Sequence, residues 1–133
     1  HPTAFVIGAD QILECDGILF DKPIDLADAA CHLKKMRGKT HCLITSACVV
    51  CNGQLVWRFT DEVFLSMRNL TDNFIEKYLN LVGEEALLSV GGYQLEKQGA
   101  QLFTNIKGDF FTVLGLPLLP LLNFLRTENV LET

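Results

Sequence analysis

The stretch of sequence that says most about the fold is HCLITSACVVCNGQLVWRFTDEVFLSM, residues 41–67. Val, Ile, Thr, Cys and Phe are concentrated on both sides of Asn52-Gly53, a dipeptide typical of a two-residue hairpin turn. The pattern predicts a long antiparallel hairpin with strands at His41–Val50 and Gln54–Met67. The other predicted elements lie before and after this hairpin.

Strands and helices alternate along the rest of the chain. Ala4–Ile7 is a continuous apolar run closed by Gly8, which predicts a strand covered on both sides, and Ile18–Phe20 predicts a second short strand. Apolar residues at helical spacing predict helices over residues 25–37 and 71–82, each opening on a residue that can cap it.

The C-terminal part is predicted to add two short strands, Gly99–Phe103 and Asp109–Val113, on either side of a turn at Asn105–Gly108. Pro117 suits the first turn of a final helix that carries a leucine stripe and ends near Arg126. Together the elements predict an α/β fold in which helices pack on a mixed sheet. No linker or composition shift divides residues 1–133, so we expect a single domain.

Composition and charge limit the functions that are open to the chain. Its 133 residues are 49% hydrophobic and 20% charged, which suits one globular domain with its own core. The net charge is −5, so no basic surface indicates binding to nucleic acid or to an anionic membrane. The apolar, uncharged stretch Phe110–Leu125 has 16 residues and contains two prolines, which makes it too short and too broken to span a membrane.

Five cysteines without a framework spacing are typical of a protein of the reducing cytoplasm. Cys48 and Cys51 form a CxxC pair, but no second pair or histidine pair completes a zinc site, and cysteines that fill a strand are the simpler interpretation. The chain starts at His1 and enters an apolar run almost at once. We therefore expect a fragment of a longer natural sequence, cut near its start.

Polar residues that could carry chemistry follow the first apolar run. Asp10 is predicted to lie at the carboxyl end of that strand, where α/β proteins bind ligands, and Lys22 follows 12 positions later. The alternative is structural, with Asp10 capping a turn and Lys22 solvated. The spacing of the pair alone does not decide between these interpretations.

A basic turn and a glycine-rich loop are two further candidates. Arg37 and Lys39 follow the first predicted helix, where cations interact favourably with the helix dipole. His41, at the start of a strand, is most simply a hydrogen-bonded structural residue. The loop at residues 91–100 contains three glycines and the acid Glu96, which could read a donor on a ligand that approaches the backbone. The loop matches neither a Walker A nor a dinucleotide-binding pattern.

Seven motifs from these regions occur in a fixed order: VIGADQ (6–11), DKP (21–23), MRGKTH (36–41), Thr45, GGYQLEKQGAQLF (91–103), IKGDFFTVLGLPL (106–118) and the leucine-rich C-terminal segment. In order and spacing they resemble the Maf family of nucleoside triphosphate pyrophosphatases, which were first associated with septum formation. The resemblance covers essentially the whole chain.

The resemblance implies a Maf/ITPase-like α/β fold, often dimeric, that hydrolyses the bond between the α and β phosphates with a divalent metal, Mg²⁺ or Mn²⁺. It implies that Asp10 accepts a proton and lies near the metal, and that Lys22 holds phosphate. The residues it places at the substrate are Gln11, Glu96, Arg37 and Lys39. Asp21 stands where the family usually has glycine and adds a negative charge beside Lys22.

Two positions bear on the choice of base. The branch of the family that acts on 7-methyl-GTP has Gln after the acid and Glu in the loop, as here at Gln11 and Glu96, whereas the branch that acts on dTTP and UTP has Thr and Gln. A carboxylate only accepts hydrogen bonds, so it suits the N1–H and exocyclic amine of a guanine-type base. The resemblance therefore favours 7-methyl-GTP or another modified nucleotide.

One departure from the family affects the expected activity. The family opens with a strand and a phosphate loop of the S-x-S-P-R-R type, and this sequence contains no such segment. We therefore expect little or no pyrophosphatase activity from this chain alone, with much of the phosphate charge left to the metal. The rival hypothesis is a catalytically impaired, nucleotide-binding or regulatory member of the family linked to cell division.

Overall fold

A computed structural model describes residues 4–133. Its strands are Val6–Cys15 (β1), Ile18–Phe20 (β2), Thr40–Cys51 (β3), Gln54–Met67 (β4) and Phe103–Lys107 (β5). Its α-helices are Leu26–Met36 (α1), Asp72–Val82 (α2), Phe110–Leu114 (α3) and Leu118–Thr127 (α4). The strands form one sheet in the order β2-β1-β3-β4-β5, and all the described pairs are antiparallel. The predicted α/β class, with helices packed on a sheet, is confirmed.

The long hairpin is confirmed as β3 and β4, which pair from Thr40 opposite Ser66 to Cys51 opposite Gln54. Asn52 and Gly53 have φ values of 55° and 74°. Two consecutive residues with positive φ define the tight turn whose twist matches that of the flanking strands. The backbone preferences of Asn52 and Gly53 therefore determine how β3 and β4, two inner strands of the sheet, are joined.

The helices pack on one face of the sheet. On β3 this is the face that carries the odd-numbered residues, such as Leu43 and Val49. Leu13, Leu43 and Val63 lie side by side on β1, β3 and β4, and each is at most 1% exposed. They form the main core together with apolar residues of α1 and α2. The predicted helices are confirmed with their caps, because the Asp25 carboxylate accepts from the Asp28 N–H at 2.7 Å and the Thr71 hydroxyl accepts from the Phe74 N–H at 3.0 Å.

The first strand differs from its prediction in length and burial. β1 continues through Gly8 to Cys15, paired along its length with β3, and most of its outer half is exposed. The prediction of a covered strand closed by Gly8 is therefore wrong. The ladder that the long β3 supplies sets the extent of β1. Because β2 pairs only with Leu13–Cys15, residues 6–12 form an edge that no other strand within residues 4–133 covers. Asp10 consequently lies in the middle of a strand, and its predicted place at a carboxyl end is also wrong.

The segment before the last helix also differs. Residues 98–102 form a 3-10 helix, β5 occupies most of the predicted turn, and the predicted strand Asp109–Val113 is helix α3. The Asp109 carboxylate caps this helix by accepting from the Thr112 N–H at 3.1 Å, and this cap outweighs the β propensity of the apolar residues that follow. The final helix is confirmed as α4, whose Leu121 and Leu125 form a second core cluster. No helix within residues 4–133 has the length and apolar character needed to cross a bilayer.

Candidate functional site

Two adjoining cavities lie beside the open edge of β1. The first, of about 620 Å³ including its mouth open to solvent, is called here the acid–lysine cavity, and its polar lining consists of Asp10, Gln11, Lys22 and Ser89. The second, of about 330 Å³ including its mouth, is called the loop cavity, and its polar lining consists of Gln11, Ser89, Tyr93, Gln94 and Glu96. Because they share lining residues, the cavities form neighbouring parts of one cleft. The structure thus brings four of the predicted site residues to one cleft. They are Asp10, Gln11, Lys22 and Glu96.

The Asp10–Lys22 pair comes from two different elements. Phe20 at the end of β2 pairs with Leu13, so the chain that follows returns along the open edge of β1 and carries Lys22 back to Asp10. Both side chains are exposed, and within residues 4–133 Lys22 has no ion-pair partner. Asp10 accepts one hydrogen bond, from the Gln11 N–H at 2.9 Å. A carboxylate and an unpaired ammonium therefore face the same space.

The Gln11 side chain is held in a single orientation. Its Nε2 lies 3.0 Å from Thr45 Oγ1, 3.1 Å from Thr112 O and 3.1 Å from Val113 O. The two carbonyls only accept hydrogen bonds, so the nitrogen and not the oxygen of the amide must face them. Both N–H groups of Gln11 are thereby engaged within the protein. Only the Oε1 atom remains for a ligand, and it is an acceptor.

A set of hydrogen bonds beneath Gln11 keeps α3 in place. Thr45 donates to Thr112 O at 3.0 Å, and the Thr112 hydroxyl donates to Asp61 at 2.8 Å. Thr45 and Asp61 are paired neighbours on β3 and β4. The sequence analysis missed the roles of Asp61 and Thr112. The hairpin register could have placed Asp61 near Thr45, but no local pattern connects Thr112, more than 50 residues away, to either of them.

The loop that carries Glu96 is a closed turn. The carbonyl of Gln94 accepts from the Lys97 N–H at 3.0 Å and from the Gly99 N–H at 3.1 Å. A Cβ atom at Gly99 would lie 2.5 Å from that carbonyl oxygen, so only glycine fits there. Lys97 lies 3.5 Å from Glu85, and within the described residues Glu96 has no ion-pair partner. Glu96 is exposed at the tip of the turn, with its carboxylate unpaired at the loop cavity.

A buried pair anchors the same loop to the sheet. Tyr93 Oη and His41 Nε2 share a hydrogen bond of 2.8 Å, and the two residues are 4% and 1% exposed. Burial lowers the pKa of His41 to about 4 and raises the pKa of Tyr93. The imidazole is therefore neutral near pH 7. This placement agrees with the structural interpretation of His41.

Arg37 and Lys39 lie outside both cavities. Arg37 Nη1 lies 2.5 Å from the Asp72 carboxylate and 3.2 Å from Leu70 O, and it holds the pKa of Asp72 below its usual value. Lys39 Nζ lies 2.7 Å from Asp16, whose hydrogen bond raises the pKa of Lys39. The structure does not bring either cation to Asp10. Their placement gives the predicted substrate-binding role no support, and the partners of their side chains are Leu70, Asp72 and Asp16 rather than carbonyls at the end of α1.

The chain is similar to proteins of one family along nearly its whole length. The Maf-like protein family matches residues 1–128. A nucleoside triphosphate pyrophosphatase of Paramagnetospirillum magneticum is 50% identical over 131 residues, which cover 98% of this chain and 68% of the relative. A 7-methyl-GTP pyrophosphatase of Rhizobium etli is 50% identical over 131 residues, covering 98% of this chain and 66% of the relative. The chain thus spans about two thirds of the length of these relatives, and it belongs to the Maf-like protein family.

Proposed function

We propose that this protein is a nucleoside triphosphate pyrophosphatase, a hydrolase that cleaves the bond between the α and β phosphates to give a nucleoside monophosphate and pyrophosphate. The observation that carries the proposal is the placement of Asp10 and the unpaired Lys22 on one cavity that adjoins the cavity of Gln11 and Glu96. A phosphate-handling pair then lies next to groups that can read a base. The names of the two relatives support the same reaction class.

Each polar group has a part in this reaction. Asp10 accepts the proton of the water that attacks the phosphorus atom, and it is exposed to the solvent from which that water comes. Lys22 places its ammonium against the phosphate oxygens and stabilises the charge that develops there. The broken bond releases pyrophosphate as the leaving group. Both side chains line the acid–lysine cavity, so they act on the same phosphate chain.

The donor set of the site fits a divalent metal that is shared with the substrate. Within residues 4–133 no three His, Cys, Asp or Glu side chains converge on one point. Asp10 and Asp21 line an opening next to Lys22, and Mg²⁺ is commonly held by one or two carboxylates together with substrate phosphates. These two residues would hold Mg²⁺ or Mn²⁺, which supplies charge neutralisation at the phosphates. In this arrangement Asp21 would serve as a metal ligand next to Lys22.

The loop cavity favours a base with hydrogen-bond donors on its edge. Gln11 offers only Oε1, because its N–H groups are engaged by Thr45 and α3, and the carboxylate of Glu96 only accepts. The N1–H and exocyclic amine of 7-methylguanine supply matching donors. Relatives at equal identity carry both enzyme names, so the preference for 7-methyl-GTP rests on these two side chains. A homodimer stays a prediction from the resemblance, and a cytoplasmic location stays a prediction from the cysteine content.

A second candidate function is nucleotide binding without efficient turnover. Lys22 is the only lysine or arginine that lines either cavity in the described part of the chain. A triphosphate carries several negative charges, and one ammonium neutralises few of them. This shortage of positive charge favours the alternative of a regulatory nucleotide-binding protein, linked to cell division.

The test is the change of Asp10 to Asn, with Asp16→Asn as the matched control because Asp16 lies beyond both cavities and pairs with Lys39. Pyrophosphate release from 7-methyl-GTP is measured with Mg²⁺ or Mn²⁺ on the protein with its natural sequence before His1 restored, and nucleotide affinity is measured by calorimetry. We expect Asp10→Asn to abolish release and Asp16→Asn to leave it unchanged. Normal turnover by Asp10→Asn would refute the role of Asp10. Binding without release by the unmutated protein, with that sequence restored, would instead favour the second candidate.

A further inference from the structure

Ser89 is a polar residue of the site that belongs to none of the sequence motifs. It precedes the Val90–Gly92 turn with an extended backbone, and it lines both the acid–lysine cavity and the loop cavity. Among the described residues, four line both cavities: Gln11, Ser89, Val90 and Leu114. Ser89 therefore lies on the boundary between the region of Asp10 and Lys22 and the region of Glu96.

The hydroxyl of Ser89 is available to a ligand. Its side chain is half-buried, caps no turn and has no hydrogen-bond partner within residues 4–133. The other polar side chain on the boundary is Gln11, whose N–H groups are already engaged. In the part of the chain that the structure describes, Ser89 thus supplies the one free side-chain donor on this boundary, next to the acceptor oxygen of Gln11.

A nucleotide that fills both cavities must cross this boundary with its sugar. The phosphates and the base lie at opposite ends of the sugar, and the two cavities meet at Ser89. A ribose hydroxyl both donates and accepts hydrogen bonds, and so does a serine hydroxyl. The flanking Val90 and Leu114 are apolar and suit the carbon face of the sugar ring.

We propose that Ser89 is a sugar-binding residue of this site, and that its hydroxyl hydrogen-bonds to a hydroxyl of the ribose. This inference rests on the proposed function, because it takes the substrate to be a nucleotide with phosphates at Lys22 and base at Glu96. It extends that function by adding the sugar to the parts of the substrate that the site distinguishes. The protein accordingly prefers ribonucleotides over the deoxynucleotide that lacks the contacted hydroxyl.

The experiment compares Ser89→Ala with the unmutated chain on three probes: 7-methyl-GTP and its 2′-deoxy and 3′-deoxy forms. Affinities are measured by calorimetry, and circular dichroism checks the fold. Ser66→Ala is the matched control, because Ser66 is a half-buried serine that lies outside both cavities and bonds to Thr40. Ser89→Cys, which keeps the size of the side chain with a weaker donor, serves as a second variant if alanine disturbs the turn.

We expect Ser89→Ala to weaken binding of 7-methyl-GTP by about threefold to tenfold, the usual effect of one hydrogen bond. The same change should leave unaltered the affinity for the one deoxy form that lacks the contacted hydroxyl. An equal loss on all three probes would point to a phosphate contact and overturn the proposal, as would no loss on any. If the unmutated chain binds none of the probes, the proposed function fails as well, whereas binding that is insensitive to Ser89 removes only this inference.

Discussion

Acidification should destabilise the protein through His41, which the fold buries without charge. The imidazole is 1% exposed and packs against the rings of Tyr93 and Phe103, with centroids 5.7 and 5.8 Å away. Its Nδ1 atom has no hydrogen-bond partner among residues 4–133. A proton added to this ring would place an uncompensated charge in the core, which is costly.

The sign and size of the effect follow from the two pKa values of His41. The unfolded chain takes up the proton near its ordinary pKa of 6.5, whereas burial lowers the pKa in the folded protein to about 4. Between these values the unfolded state binds more protons, so the free energy of unfolding falls as pH falls. The loss begins near pH 6.5 and is complete near pH 4, and the gap between the two pKa values converts to ~3 kcal/mol.

The assay is urea unfolding followed by the fluorescence of Trp57 at pH values from 4 to 8. His41→Phe should flatten the dependence of the unfolding free energy between pH 6.5 and 4.5, because no group then protonates at this position. Tyr93→Phe is the control: it removes the hydrogen bond of 2.8 Å but leaves His41 buried, so the dependence on pH should persist. Combining His41→Phe with Tyr93→Phe gives a double variant in which no Tyr93 hydroxyl is left unpaired in the core.

If His41→Phe retains the slope of the unmutated protein in this range, protonation of His41 is not the cause of the pH dependence. Equal stability of the unmutated protein at pH 7 and pH 4.5 would likewise refute a charge penalty at His41. A change in overall stability alone, at constant slope, would reflect packing or the lost hydrogen bond rather than protonation.

Two further predictions concern the specificity of the site. Glu96→Gln should shift relative affinity from 7-methyl-GTP towards UTP by about tenfold, since an amide restores a donor where the carboxylate only accepts; an unchanged calorimetric profile would count against the assignment. Arg37→Ala and Lys39→Ala should change nucleotide affinity less than about twofold, because both cations are paired with acids outside the cavities and exposed pairs contribute little. A large loss of affinity in either variant would restore their predicted role at the substrate.

The parts of the fold that depend on local chemistry could be predicted from the sequence. The Asn52-Gly53 turn needs only its own backbone preference, and the N-caps Asp25 and Thr71 act within three residues. The open edge of β1 could not be predicted in this way, because β3 determines the length of β1 and the shortness of β2 determines its exposure. Helix α3 was misassigned because one capping aspartate outweighed a run of residues with β propensity.

In the candidate site, too, some features could be predicted from the sequence and others depend on tertiary contacts. Asp10, Lys22, Gln11 and Glu96 were named from ordered motifs, and the structure places them around two adjoining cavities. The orientation of the Gln11 amide could not be predicted, because it is set by carbonyls of α3 that are about 100 residues away in sequence. The positions of Arg37 and Lys39 were likewise decided by tertiary partners, Asp72 and Asp16, that no local spacing reveals.

The closed turn from Gln94 to Gly99 limits how this scaffold can acquire a new substrate. Two hydrogen bonds to one carbonyl and the absence of room for a side chain at Gly99 fix the number of residues in the turn. Lengthening or shortening it would cost both bonds, whereas a substitution at Glu96, on the exposed tip, disturbs neither. On the proposed role of Glu96, a substitution at this position can therefore change the base preference without disturbing the turn. An insertion or deletion between Gln94 and Gly99 would disrupt the turn itself.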